Sequence, residues 1–211
     1  MSVSETWKKS LMLSKSFQEL IQQFSSFPGV GPRMANRYAF HLLHQNPERT
    51  DAFIRNLQEL KKVQFCSECF LPFYPSRPQE KLCPLCQDSS RQKNLLCLIE
   101  KEGDLYSLEE MGIYRGLYFL VGSASQWFEK KESSARTKQL LTKIKKASPK
   151  IEEVILAINY TAEGQALSSY LQKLLQSLPV KTTHLRQGLP LGSEVEYADL
   201  ETLKKAFQGR E

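Results

Sequence analysis

The sequence predicts an α+β protein built from modules of different character, and three observations support that prediction. Residues 1–63 carry apolar side chains at the three- and four-residue spacing of amphipathic helices. Residues 64–90 hold four of the five cysteines and show little periodicity. Residues 91–187 alternate short apolar runs with helical patterns, which predicts a mostly parallel sheet covered on both faces, and residues 188–211 follow as a glycine-rich acidic loop and a helix.

Helices are predicted in the N-terminal module from apolar stripes and from start signals. The first helix has an apolar stripe formed by Leu13, Phe17, Leu20, Ile21 and Phe24. A second helix begins at Pro32, because the missing N–H of proline costs nothing at the first helical position. A third begins after Asn46, which is predicted to cap it, with Pro47 at the first position.

A glycine-rich turn, Phe27–Arg37, joins the first two helices. Gly29 and Gly31 allow positive φ and leave the backbone bare, so the free N–H groups at the helix start can contact a phosphate. Arg33 lies in the first turn, where a cation opposes the helix dipole unless an anion is bound, and Arg37 lies one turn later. Backbone donors contact every phosphate alike, so these residues predict sequence-independent DNA binding by a helix–hairpin–helix. An ordinary corner between two helices is the alternative.

Two C-x2-C pairs, Cys66 with Cys69 and Cys83 with Cys86, are separated by 13 residues. Four thiolates complete the tetrahedral shell of one Zn²⁺ and leave no position for water, so a four-cysteine zinc finger with one structural zinc is predicted. The metal would stabilise a segment too short to build its own core. Two disulfides or four free thiols are the alternative. Cys97 stands alone in an apolar run and is predicted to be a core residue.

Composition and charge restrict the class of partner and the location. The net charge of +6 favours an acidic partner such as nucleic acid. No apolar run approaches the ~20 residues of a membrane span, and the N-terminus lacks the pattern of a signal peptide. We therefore expect a cytoplasmic protein without a membrane partner, in a reducing location where paired cysteines bind metal more often than they form disulfides.

The third module carries the strands. They are predicted at residues 95–100, 116–122, 154–158 and 180–185, with helices between them. The first strand, which ends in Glu100, resembles the start of a Toprim domain, a fold of topoisomerases, primases and some nucleases. Active members also carry Asp-x-Asp after a later strand, because Mg²⁺ in phosphoryl chemistry needs several carboxylates. Here the later strand ends in Asn159 and Tyr160, which argues against the alternative of a metal-dependent nuclease or primase-like enzyme.

Several segments resemble, in order, the RecR family of bacterial recombination mediators. They are the hairpin around Pro28–Arg33, the four-cysteine knuckle and the run 188–199, and the resemblance covers roughly residues 16–210. It implies a non-enzymatic protein of recombinational DNA repair that binds single- and double-stranded DNA, close to the nucleoid. It also implies self-association as a dimer or tetramer into a ring-like clamp, which acts with RecO and RecF to load recombinase. A protein–protein adaptor that never contacts DNA is a further alternative, against which the hairpin argues.

Glutamates are the candidate contacts for protein partners. They are Glu100, Glu163, Glu194 and Glu196. The segment 161–164 resembles a family region that uses acids for partner contact, but Glu163 also suits a purely local role at the start of its helix. The acids of the 188–199 loop argue against phosphate binding and for a protein contact or a weak metal site. Asp199 is predicted to cap the last helix.

The loop 123–134 departs from the pattern of the family, and its role is not carried over. A basic helix follows it. The cations of this region are Arg136, Lys138, Lys143, Lys145, Lys146 and Lys150. Both a solvated basic helix and an added DNA-facing surface agree with this pattern.

Overall fold

The computed structural model describes residues 15–124, 127 and 132–209, so Leu13 and half of the loop 123–134 lie outside the described residues. The chain divides into two compact units, Met1–Lys62 and Val63–Glu211. Among the described helices, none combines the length and the apolar character that crossing a membrane requires.

The first unit is helical, as predicted. Its helices are α1 (Lys15–Ser25), α2 (Pro32–Leu43) and α3 (Pro47–Glu59), followed by a 3-10 turn, Leu60–Lys62. Helices α1 and α2 pack closely because the side chains at Ala35 and Ala39 are small, and both residues are fully buried. The Asn46 side chain accepts a hydrogen bond from the backbone N–H of Glu48 at 2.9 Å, which confirms the predicted cap.

The apolar stripe of α3 stays largely exposed. Its members, with 38% to 58% of their surface accessible, are Phe53, Ile54, Leu57 and, just beyond the helix, Leu60. Clustered apolar side chains of this size on one helix are typical of a surface that contacts another protein.

The second unit contains the predicted parallel sheet. Its strands are β3 (Gln92–Ile99), β4 (Gly116–Leu120), β5 (Glu153–Ala157) and β6 (Lys181–His184), and they lie in the order β4-β3-β5-β6 with every pair parallel. The remaining helices of at least nine residues are α5 (Glu102–Glu110), α6 (Glu132–Lys146), α7 (Ala162–Leu175) and α8 (Leu200–Gln208). Residues 64–90 form the cysteine segment. It contains the short helix α4 (Pro84–Gln87) and the strands β1 (Gln64–Phe65) and β2 (Pro72–Phe73), which pair antiparallel.

The two faces of the sheet are covered differently. Successive strand residues point to opposite faces, so Leu96 and Leu98 pack with α6 and α7 while Cys97 and Ile99 face away from those helices. The second face is covered by the cysteine segment together with α5. We expected a covered sheet from the alternation of strands and helices, but not that a loop-rich segment would cover part of one face.

Candidate metal centre and nucleic-acid contacts

The four cysteines of the two C-x2-C pairs come together. Their sulfur atoms all lie within 4.8 Å of one another, and the Sγ atoms of Cys69 and Cys83 are 3.5 Å apart. Four sulfurs about 2.3 Å from one tetrahedral metal would be about 3.8 Å from each other, whereas a disulfide needs about 2.05 Å. The group therefore fits a single tetrahedral ion and does not fit disulfides.

Each C-x2-C pair forms a tight turn, or knuckle, and the first knuckle, Cys66–Cys69, is closed by a residue in the left-handed conformation. The backbone N–H of Phe70 donates to the carbonyl of Cys66 at 2.9 Å, and Phe70 has a φ of 61°. A bulky residue rarely adopts this conformation, so the surrounding packing must stabilise it. The Phe70 ring meets the edge of Phe119 at 5.6 Å, and the Arg136 guanidinium lies 5.1 Å from its centroid. Packing against the sheet thus holds the turn that brings Cys69 back beside Cys66.

The second knuckle supplies a hydrogen bond to the first. The backbone N–H of Cys83 donates to Cys66 Sγ at 3.3 Å. The pKa of Cys66 is lowered mainly because the thiol of Cys69 donates to its sulfur, with the thiols of Cys83 and Cys86 adding to the effect. Thiolates are the form that binds metal, and Cys66, Cys69 and Cys83 are at most 2% exposed. This is a closed set of four protein ligands, which suits a structural ion and not a catalytic one.

The first knuckle is also tied to the sheet and to α6. The backbone N–H of Leu120, at the end of β4, donates to the carbonyl of Cys69 at 2.8 Å. Two side chains of α6 reach the same turn: Gln139 Nε2 donates to the carbonyl of Ser67 at 2.7 Å, and Lys143 Nζ lies 3.3 Å from Glu68 Oε2. Part of the basic helix therefore has a structural role, which its charge pattern alone does not indicate.

Cys97 lies apart from this group, on β3. It is 3% exposed, as expected for a core residue, and burial together with the nearby Asp104 raises the pKa of its thiol to about 12. Cys97 is therefore protonated at neutral pH and lies outside the candidate metal centre.

The predicted hairpin joins α1 and α2. Gly29 adopts a φ of 75°, whereas Gly31 has a φ of −79° and is the N-cap of α2, directly before Pro32. Only Gly29 therefore uses the left-handed region that the sequence allowed to both. The backbone N–H groups of Arg33 and Met34 have no acceptor among the described residues. A Cβ atom at either glycine would meet nothing within 4 Å, so the backbone here is open to a large anion.

Arg33 and Arg37 lie one helical turn apart on α2, and both are exposed. Neither guanidinium has a carboxylate within 4.0 Å in the part of the chain that the structure describes. Arg37 Nη1 lies 3.6 Å from Met34 Sδ. The first turn of α2 has no acidic residue, so the positive end of the helix dipole and the Arg33 cation are uncompensated.

Glu100 follows β3 at the carboxyl edge of the sheet. Its Oε1 accepts a hydrogen bond from the backbone N–H of Asn159 at 2.6 Å, so this carboxylate joins the ends of β3 and β5. Among the described residues, the cysteines are the one set of three or more metal-ligating side chains whose ligand atoms lie close together. The Tyr160 hydroxyl donates to the carbonyl of Leu185 at 2.8 Å.

The other candidate glutamates are exposed. Glu163 lies in the first turn of α7, whose cap is the Thr161 hydroxyl, which accepts from the backbone N–H of Gly164 at 3.1 Å. Glu194 and Glu196 lie at the 3-10 turn before α8. Asp199 caps α8 as predicted: it accepts from the backbone N–H of Thr202 at 2.9 Å.

A surface near these acids was missed by sequence reasoning. The C-terminal segment exposes large apolar side chains, each with at least 62% of its surface accessible: Leu191, Val195, Tyr197, Leu200 and Phe207. Leu191, Val195 and Tyr197 lie before α8 without helical spacing, so only their exposure in the fold identifies them as a candidate contact surface.

Comparisons with known proteins agree with this architecture. Residues 17–61 match the family model "RecR, helix-hairpin-helix", residues 94–186 match a Toprim domain, and residues 188–211 match "RecR, C-terminal". The chain is 34% identical over 201 residues to the Recombination protein RecR of Paenarthrobacter aurescens, covering 94% of this chain and 98% of that protein. It is 36% identical over 203 residues to the protein of the same name from Bifidobacterium adolescentis, covering 95% and 98%. The protein of that name from Dehalococcoides mccartyi is 35% identical over 195 residues, covering 92% of each chain.

Proposed function

Because the chain belongs to the RecR family of recombination proteins, we propose that it is a DNA-binding mediator of recombinational repair without catalytic activity of its own. The observation that supports this best is the hairpin, where two backbone N–H groups without an acceptor lie beside Arg33 and Arg37, each without a carboxylate partner among the described residues. A DNA phosphate placed there accepts from the N–H groups of Arg33 and Met34. Because these donors contact only phosphate, both single- and double-stranded DNA are bound without base specificity.

Reversing the hairpin charges is expected to weaken DNA binding strongly. In Arg33→Glu, Arg37→Glu, two phosphate contacts are lost and repulsion replaces them, so we expect at least a tenfold rise in Kd. The slope of log K against log salt should become shallower by about 2, at roughly 0.9 per contact with duplex DNA. Fluorescence anisotropy with labelled DNA at several salt concentrations measures both quantities.

The matched control is Lys173→Glu, Lys181→Glu, which makes the same charge change at two exposed positions of the second unit, outside the surfaces assigned to DNA and to self-association. If the hairpin variant binds as tightly as the unchanged protein, the hairpin is not the DNA contact. If both double variants lose the same affinity, only the net charge matters.

In this function the four cysteines hold one Zn²⁺, and the ion has a structural role only. Thiolate ligands favour zinc over harder cations such as Mg²⁺. The chemistry that the bound ion supplies is cross-linking of the two knuckles, which docks the cysteine segment on the sheet.

The alternative is a metal-dependent nuclease or primase-like enzyme of Toprim type. Glu100 alone offers one carboxylate, already engaged by the backbone N–H of Asn159, whereas phosphoryl chemistry with Mg²⁺ needs several. We expect no cleavage of labelled gapped DNA in the presence of Mg²⁺ or Mn²⁺. Cleavage that disappears in Glu100→Gln would establish the enzyme and overturn the mediator.

The remaining parts of the function concern assembly and partners. The exposed apolar residues of α3 and of the C-terminal segment are the surfaces through which the chain self-associates, as a dimer or tetramer that encircles DNA. The exposed acids Glu163, Glu194 and Glu196, with Glu100 at the sheet edge, contact RecO and RecF, and the assembly works in the cytoplasm at the nucleoid. Light scattering in solution gives the mass of the assembly, and a monomer at micromolar concentration would exclude the clamp.

A further inference from the structure

A cleft of about 180 Å³ opens in the second unit beside the last two turns of α6. This is several times the ~30 Å³ that one water molecule occupies in the liquid. Its polar lining includes Lys93, Gln139, Thr142, Lys143, Lys146 and Ser148. The members from α6 follow the i, i+3, i+4, i+7 spacing of one helix face, so a single face of the helix forms one wall. Lys93 comes from β3, on another element of the fold.

The cleft carries an excess of positive charge. Lys93, Lys143 and Lys146 line it, and Glu68 is the one carboxylate among the described residues that do so, which leaves a formal charge of +2. Glu68 is already paired with Lys143, whose side chain is 7% exposed. Lys93 and Lys146 are exposed, and neither has a carboxylate within 4.0 Å in the described ranges.

Helix stability alone does not account for this arrangement. Cations in the last turn of α6 complement the negative end of the helix dipole, which explains Lys145 and Lys146. The helix dipole does not explain why Lys93, which lies 53 positions before Lys146 in the chain, lines the same cleft. Lys143 pairs with Glu68, so Lys93 and Lys146 line the cleft without a carboxylate partner among the described residues.

We propose that this cleft binds a backbone phosphate of DNA and is a second DNA contact, separate from the hairpin. The ammonium groups of Lys93 and Lys146 neutralise the phosphate, and the Thr142 hydroxyl can donate to one of its oxygens. Lys145 and Lys150, close to Lys146 in the sequence, are also exposed, and several exposed cations suit a polyanion better than a small anion. The inference rests on the proposed function only in that the chain binds DNA.

The first experiment uses the unmodified full-length protein. Surface lysines are acetylated briefly with and without duplex DNA, and the extent of modification at each lysine is read by mass spectrometry. DNA should reduce acetylation of Lys93 and Lys146 at least threefold and leave Lys138 unchanged, because Lys138 is exposed on α6 but does not line the cleft. A parallel arm uses inorganic phosphate alone. Protection by phosphate but not by DNA, or no protection at either lysine, would overturn the proposal.

The second experiment measures affinity. Lys93→Gln, Lys146→Gln should raise the Kd for DNA about tenfold and make the salt slope shallower by about 1, since one phosphate contact is lost, while Lys138→Gln, Lys173→Gln, with the same charge change at exposed positions outside the cleft, should stay near the unchanged protein. Loss of affinity in the hairpin variant but not in the cleft variant sinks this inference and leaves the proposed function intact. Loss in the cleft variant alone supports the cleft and removes the hairpin. No loss in either overturns both sites.

Discussion

Cys69→Ser is expected to abolish metal binding and to unfold the cysteine segment. Structural zinc bound by four ligands contributes an apparent free energy of about 10–16 kcal/mol in small zinc peptides at pH 7, and most of it is lost with one ligand. The segment has little secondary structure of its own, since β1 and β2 contain two residues each and α4 contains four. Removing the ion with a chelator should have the same effect on the unchanged protein.

The damage is expected to spread to the sheet. The Cys69 carbonyl accepts from Leu120, and Phe70 packs on Phe119, so both residues at the end of β4 lose a partner when the knuckle opens. We therefore expect the free energy of unfolding of the second unit to fall by several kcal/mol and its near-ultraviolet circular dichroism to weaken.

The control for this prediction is Cys97→Ala. Cys97 is buried like the ligands but lies outside the group, so this variant should keep about one zinc per chain by elemental analysis and lose about 1 kcal/mol of stability. A Cys69→Ser protein that retains one zinc and unchanged stability would contradict the structural role of the four cysteines.

Local sequence signals predicted the local features of the fold well. The caps Asn46 and Asp199 are found as expected, because capping depends on a side chain and on N–H groups two or three residues later. The parallel strands followed from apolar runs separated by helical patterns. The clustering of the four cysteines in one group followed from their spacing, since four thiols in two C-x2-C pairs have few other stable arrangements in a reducing location.

Features that depend on distant residues were not predictable in the same way. Arg91 is 9% exposed, and its guanidinium donates to the carbonyl of Gly116 and to the carboxylate of Glu109, which are 25 and 18 positions away. A charged residue next to a loop is ordinarily exposed, so only the fold reveals this buried network. Lys93 and Lys146 are a second case, because parallel topology alone brings the start of β3 beside the end of α6. Phe70 is a third, since its left-handed backbone is stabilised by residues of the sheet.

Gly164→Ala is expected to destabilise the carboxyl edge of the sheet by about 3 kcal/mol, the upper end of the usual range for an added methyl group in a packed site. A Cβ atom at Gly164 would lie 2.1 Å from the carbonyl oxygen of Asn159 and 3.1 Å from Glu100 Oε1. The nearest obstacle is backbone, so no side-chain rotation relieves the clash. The loop must move, and the hydrogen bond from the Asn159 N–H to Glu100 and the Thr161 cap move with it.

Urea unfolding followed by circular dichroism measures this effect as a lower midpoint at unchanged slope. Gly103→Ala is the matched control: it makes the same substitution in α5, where a Cβ atom meets nothing within 4 Å, and should stabilise the protein by about 0.5–1 kcal/mol. Equal midpoints for the Gly164 variant and the unchanged protein would show that the loop yields freely. Because Glu163 precedes Gly164, a displaced loop would also disturb any partner that binds Glu163. A loss of partner binding in Gly164→Ala therefore reports on the loop, and only Glu163→Gln, which keeps the backbone in place, tests the carboxylate itself.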